Sequence, residues 1–205
     1  MITGRRVRLR RPENRGKDHE IIVAWRNEPW AKTYFFEEEP VSLDSHLVWY
    51  DKVAQDASQR YYMIDALIQA GTTDSQLNPP LLIGTTSLLH MDWRNRTAEY
   101  GRLMLGRPDY RGGGYGKEAE CLLMDYAFNH LNLNKVWGDV IVGNEVVLNL
   151  HRQMGFREEG LLRQQVFKNG RYLDLVRVIA RRRIPSPSTR TMAALAFVLA
   201  CRGTA

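Results

Sequence analysis

The residues best equipped to act together run from Tyr110 to Ala119, as YRGGGYGKEA. Gly112, Gly113 and Gly114 in a row, with Gly116 two places on, remove side chains where a backbone could wrap an anion. An apolar stripe at helical spacing follows at once through Ala119, Leu122, Leu123, Tyr126, Ala127 and His130. A glycine turn entering a helix offers N–H groups and the positive end of the dipole. That suits a phosphate or pyrophosphate. The same letters also describe a flexible loop ahead of an ordinary core helix. Two nucleotide-binding fingerprints are excluded. Lys117 is followed by Glu118 rather than by Ser or Thr, and the three spaced glycines of a dinucleotide fold are missing.

The pattern Arg-x-x-Gly-x-Gly is met by Arg111, Gly114 and Gly116. About thirty residues later comes NEVVLNLHRQMGF, from Asn144 to Phe156. With these two motifs in this order, the chain resembles the GNAT superfamily of acetyl-CoA-dependent N-acetyltransferases. The likeness is to the branch holding ribosomal-protein alanine, spermidine and nucleotide-amino-sugar acetyltransferases. It covers roughly residues 5–183 and is densest from Gly84 to Val178.

The resemblance implies roles. Backbone amides of Gly112, Gly114, Tyr115, Gly116 and Lys117 would hold the pyrophosphate of acetyl-CoA, with Arg111 and Lys117 adding charge. Gly113 stands where relatives often carry a lysine. The strand end Leu103-Met104-Leu105 would bulge and splay so that the pantetheine arm pairs with it, and the Leu105 amide would polarise the thioester. Asn144 would touch the pantetheine or simply cap a helix. His151 stands where many relatives have the tyrosine that protonates the departing thiolate; an imidazolium could do that, or the histidine packs and water is the acid. Glu99 in TAEYG would be the base, acting through water, unless it is a strand glutamate facing solvent. Trp25, Arg26, Asn27 and Glu38 fall in segments that cover the acceptor in relatives. WRN with EPVSLDSHLVWY is most like the amino-sugar enzymes. FEEEP and YDKVAQDASQR are similar to the spermidine enzymes, although a solvated loop explains Glu37–Glu39 equally well.

These groups need elements to carry them. Residues 5–10 read as a strand, 18–27 as a helix ending near Pro29, and 42–57 as a second helix capped by Ser42. Strands follow at 61–68 and 81–89, separated by a polar loop over 69–80, and then at 96–105. After the glycine loop and its helix come a strand at 135–142, a helix at 145–154 and a strand at 156–167. Asn169-Gly170 signals a tight hairpin into a last strand at 171–180. The fold expected is α/β: one domain with a mixed, mostly antiparallel sheet of about seven strands and helices on both faces.

A chain of 205 residues, 44% hydrophobic and 25% charged, fits one globular domain, taken as 1–183. A Pro/Ser linker and short apolar tail follow at 184–205, the run Met192–Cys201 being too short to span a bilayer. Five of the arginines behind the net charge of +6 lie from Arg181 onward with no acid among them. The body is therefore close to neutral, which argues against nucleic acid as a partner. Two cysteines make no disulfide framework, Cys121 reading as a buried thiol, and no Cys or His pairs stand at metal-ligand spacing. The charged N-terminus shows no signal peptide, so a cytoplasmic location is expected, as monomer or homodimer. The reading is direct acetyl transfer to a primary amine, with an amino-sugar nucleotide ahead of a polyamine. A protein N-terminus and a non-catalytic acyl-CoA-binding module stand as alternatives.

Overall fold

The computed structural model describes residues 1–13, 16–72 and 76–182. The elements are β1 (Ile2–Thr3), β2 (Val7–Arg10), α1 (Lys17–Asn27), α2 (Pro29–Tyr34), α3 (Leu43–Gln55), β3 (Arg60–Ile68), β4 (Gln76–Asp92), β5 (Thr97–Leu105), α4 (Tyr115–Asp125), β6 (Lys135–Ile141), α5 (Glu145–Gln153), β7 (Arg157–Lys168) and β8 (Arg171–Arg181). The eight strands form one sheet in the order β1-β2-β3-β4-β5-β6-β8-β7. All neighbours are antiparallel except β5 and β6. The sheet thus has one strand beyond the seven expected, and β1 is only two residues long.

Two expectations are corrected. Pro29 does not merely end α1. It opens α2, because proline's missing N–H costs nothing at a helix's first position. The polar loop over 69–80 is shorter than expected, since β4 begins at Gln76 and pairs there with Ile68. The expected tail, 184–205, lies outside the described residues.

Alternation along the strands divides the core in two. Val7, Leu9, Tyr62, Ile64, Ala98 and Tyr100 face α4 and α5, while Tyr61, Met63, Leu82 and Met104 face α1 and α3. On the second face Asp65, 1% exposed, accepts from Arg8 at 2.9 Å and Arg10 at 2.7 Å, and Arg10 also forks onto Asp18 at the start of α1. Those arginines of the opening RRVRLR therefore pin β2, β3 and α1 together. Among the described residues no helix is long and apolar enough to cross a membrane.

Candidate active site

The sheet opens where β5 and β6 meet. They pair over three rungs only, Thr97↔Lys135, Ala98↔Val136 and Glu99↔Trp137. Past Glu99, β5 stays with β4 as far as Leu105, whereas β6 stays with β8 as far as Ile141. The cause is visible in β5: Thr85 pairs with Met104 and Ser87 with Gly101, so β5 spends an extra residue there. Arg102 takes φ +56° at that bulge. The bulge also moves β5 side chains between faces, sending Met104 to the α1–α3 side.

This seam leaves backbone groups looking for a partner. The Gly106 N–H donates to the Ile83 carbonyl toward β4. Successive N–H groups of a strand alternate, so the amides of Leu105 and Leu103 point the other way, into the seam. An extended polar arm can pair there as a surrogate strand. The Leu105 carbonyl already accepts from Arg111 Nε at 2.9 Å.

The glycine loop stands at the mouth of the seam. Gly112 and Gly114 adopt φ +74° and +81°, and Gly114 is the residue that turns the chain into α4. The first helical bond runs from the Glu118 N–H to the Gly114 carbonyl, so the N–H groups of Tyr115, Gly116 and Lys117 have no acceptor within the helix. Around Gly112 a Cβ would meet nothing, and Gly112 and Gly113 are exposed. A diphosphate fits this open cradle of amides, and the pantetheine arm of the same molecule fits the seam beyond it.

Sequence reasoning missed the loop's brace. Arg6 donates through Nε to Glu118 at 2.9 Å and through Nη1 to the Gly113 carbonyl at 2.8 Å, and lies over the Tyr115 ring. Tyr115 in turn donates to the carbonyls of Ile68 and Gln69. Arg111 turns away from the cradle. It spans the carbonyls of Leu105 and Gly106 and sits 3.8 Å over Trp30. Lys117 stays half-buried on α4.

Around the vertex of the seam, Glu99 is 21% exposed and its Oε2 lies 2.7 Å from Nδ1 of the exposed His90, a partner that sequence reasoning did not supply. His90 reaches it because β4 is irregular there, with φ +46°. Arg102 stacks on Trp49 at 4.7 Å and donates to Gln59 Oε1. Burial lowers its pKa, against the pull of Tyr61, Glu37 and Glu99. On the other face His151 is 2% exposed, wedged between Tyr100 and Phe156, with Nε2 2.9 Å from Glu120 Oε1. Asn144 caps α5, its side chain accepting from the Val147 N–H at 3.4 Å.

The acceptor-side candidates are spread out. Trp25 packs under Gly106, where a Cβ would come 1.8 Å from the indole. Arg26 pairs with Glu37 at 3.1 Å and lies over Phe35. Asn27 ties down Val41 through two 2.8 Å bonds, a brace for the loop rather than an open contact. Glu38 accepts from the Asn169 N–H at the β7–β8 turn, and the adjoining Lys168 donates to the carbonyls of Lys32, Thr33 and Phe35. Among the described residues no group of His, Cys, Asp or Glu is placed to hold a metal.

A sheet that opens past its three parallel rungs, with a cradle of free amides at its mouth, suits an acyltransferase that takes its acyl group from a coenzyme A thioester. The acetyltransferase (GNAT) domain profile matches residues 6–157, and the chain belongs to that family. It is an N-acetyltransferase using acetyl-CoA. Among its relatives, spermidine N(1)-acetyltransferase of Vibrio cholerae is 32% identical over 146 residues, 71% of this chain and 77% of the relative. A Bacillus subtilis protein provisionally named a ribosomal N-acetyltransferase, YdaF, is 32% identical over 170 residues, 83% and 87% of the two chains. The solved structure of the Vibrio cholerae spermidine enzyme with CoA and spermine superposes with a TM-score of 0.73 at 29% identity, covering 86% of this chain and 95% of that one. The order expected from sequence, an amino-sugar nucleotide ahead of a polyamine, draws no support from these relatives.

Proposed function

We propose that the protein acetylates a primary amine of a small polyamine by direct transfer. The reading is carried by the seam and cradle together with a relative named for spermidine and its solved structure, and the exposed acidic run Glu37–Glu39 suits a cationic acceptor. Bound acetyl-CoA supplies an acetyl group activated as a thioester. The amides of Gly112, Gly114, Tyr115, Gly116 and Lys117 would hold the diphosphate, and the edge at Leu103 and Leu105 would align the arm. The Leu105 N–H would donate to the thioester carbonyl oxygen and stabilise negative charge there. Glu99, with His90, takes the proton the amine sheds, and His151 returns one to the departing sulfur.

A second reading has its own observation. Arg102 places a half-buried cation on the acceptor face, near Arg26. That suits an amine whose molecule also carries a phosphate or carboxylate, such as an amino-sugar nucleotide. Parallel turnover assays with spermidine, an amino-sugar nucleotide and a peptide with N-terminal alanine separate these. We expect spermidine to give the highest kcat/KM, and replacement of Arg102 with Leu to leave that value intact. A preference for the anionic acceptor, abolished by Arg102→Leu, would replace the polyamine reading with the second.

A further inference from the structure

Tyr100 from β5, Glu120 from α4 and His151 from α5 meet in the core behind the vertex of the seam. Glu120 is fully buried, and Tyr100 and His151 are 5% and 2% exposed. The Tyr100 ring stands edge-on to the imidazole at 5.5 Å, and Phe156 covers the ring at 4.8 Å. Nε2 of His151 is 2.9 Å from Glu120 Oε1, close enough for an ion pair although its N–H does not aim along the line between them. The Tyr100 hydroxyl, both Glu120 oxygens and both His151 nitrogens are buried with no well-aligned hydrogen bond among the described residues. Burial, and then the Glu120 charge, push the Tyr100 phenol well above its ordinary value, so it stays protonated.

Such a cluster is costly as mere packing. A carboxylate buried alone costs several kcal/mol, and an apolar residue of like volume would serve the core better. Its position suggests why it is there. Tyr100 is the first residue of β5 beyond the last rung to β6. Glu120 lies four residues after Gly116, on the helix face that begins at the cradle. The groups facing the imidazole are thus Glu120 from α4, Tyr100 from β5 and Phe156 after α5, and only the first two titrate.

We propose that Glu120 is a positioning residue for acetyl transfer, its carboxylate, 2.9 Å from the ring, holding the His151 imidazolium beside Tyr100 by charge until that ring gives its proton to the sulfur. This rests on His151 being the proton donor, as read above. As the C–S bond breaks and its electron pair stays on sulfur, one proton passes from His151 to that sulfur. The amine loses one proton to Glu99 and solvent, and one returns from solvent to the Glu120–His151 pair, so the enzyme ends each cycle unchanged. A carboxylate orienting a catalytic imidazole is a known source of large rate effects.

The test is a double-mutant cycle. Glu120→Gln should lower kcat on the order of ten- to a hundredfold, with both KM values within about twofold. In a His151→Tyr background, where a phenol donates without a carboxylate partner, the same substitution should cost less than about threefold. In the ligand-free protein, the losses of Tm from Glu120→Gln and His151→Phe should be less than additive. Parent-like kcat in Glu120→Gln, or an equal cost in both backgrounds, would overturn the proposal. If Glu120→Gln does not fold, Glu120→Asp withdraws the carboxylate by one methylene and must show the same background dependence; parent-like kcat there overturns it too. A His151→Phe variant at parental kcat would sink the donor role itself, a separate outcome that leaves the acetyltransferase activity standing.

Discussion

At Gly114 one added carbon tests the cradle. With φ at +81°, a Cβ there would also stand 2.9 Å from Arg6 Nη2. A β-branched side chain at such a φ costs about 1–3 kcal/mol, which the loop relieves by turning its amides away. Gly114→Val should stay folded by circular dichroism yet lose acetyl-CoA affinity at least about tenfold by calorimetry, a loss of about 1.4 kcal/mol. Unchanged affinity would show that the diphosphate sits elsewhere. For His151, substitution with Phe should lower kcat with little change in acetyl-CoA affinity, because the missing interaction belongs to the transition state. Substitution with Tyr should restore much of the rate, measured across the pH range.

Elements matter here through one close approach. At Gly84, on the β4 side of the last rung to Leu105, a Cβ would lie 2.1 Å from the Met104 carbonyl oxygen. That is backbone against backbone, with no flexible side chain to give way. Gly84→Ala should therefore prise β4 from β5, costing about 2–4 kcal/mol in urea melts, and weaken acetyl-CoA binding by moving the Leu105 amide. Parental stability would contradict the approach. At the other end, the β7–β8 turn grips α2 through Lys168 and the following loop through Glu38. That grip ties the β7–β8 hairpin to the segment after α2, which the polyamine reading uses as the acceptor side.

For the whole molecule, the pair His19 and His46 sets a pH limit. His46 Nε2 lies 3.1 Å from His19 Nδ1 between α1 and α3, both rings being buried. Burial first, then the charge of His19, brings the His46 pKa down from 6.5 to about 4. Between those values the unfolded chain binds a proton that the folded chain refuses. Stability therefore rises with pH across that window, is complete above it, and is lost as pH falls toward 4. The contribution is at most about 3 kcal/mol. Asp18 opposes its burial through Arg10 and ends with a lowered pKa, so its share is lost only at lower pH. Denaturant melts from pH 7 to 4.5 should show the slope, and His46→Gln should flatten it; an unchanged slope would assign it to other groups.

Much of the candidate site's local geometry was legible because its signals are local. The glycine run states where backbone is bare. Ser42 and Asn144 cap their helices as read, and Asn169-Gly170 makes the β7–β8 turn with φ +50° and +73°. The element order follows from side-chain periods of two and 3.6, which each segment displays by itself. What the sequence could not state is which backbone edge goes without a partner, since strand pairing is decided between segments far apart in the chain. The opening of β5 from β6, the turning of Arg111 toward Leu105 and Trp30, and the bracing of the loop by Arg6 all belong there. The same holds for His90 reaching Glu99 and for Glu120 meeting His151. A buried charge is tolerated only where the fold delivers an opposite one, and only the tertiary structure brings three elements close enough to do so.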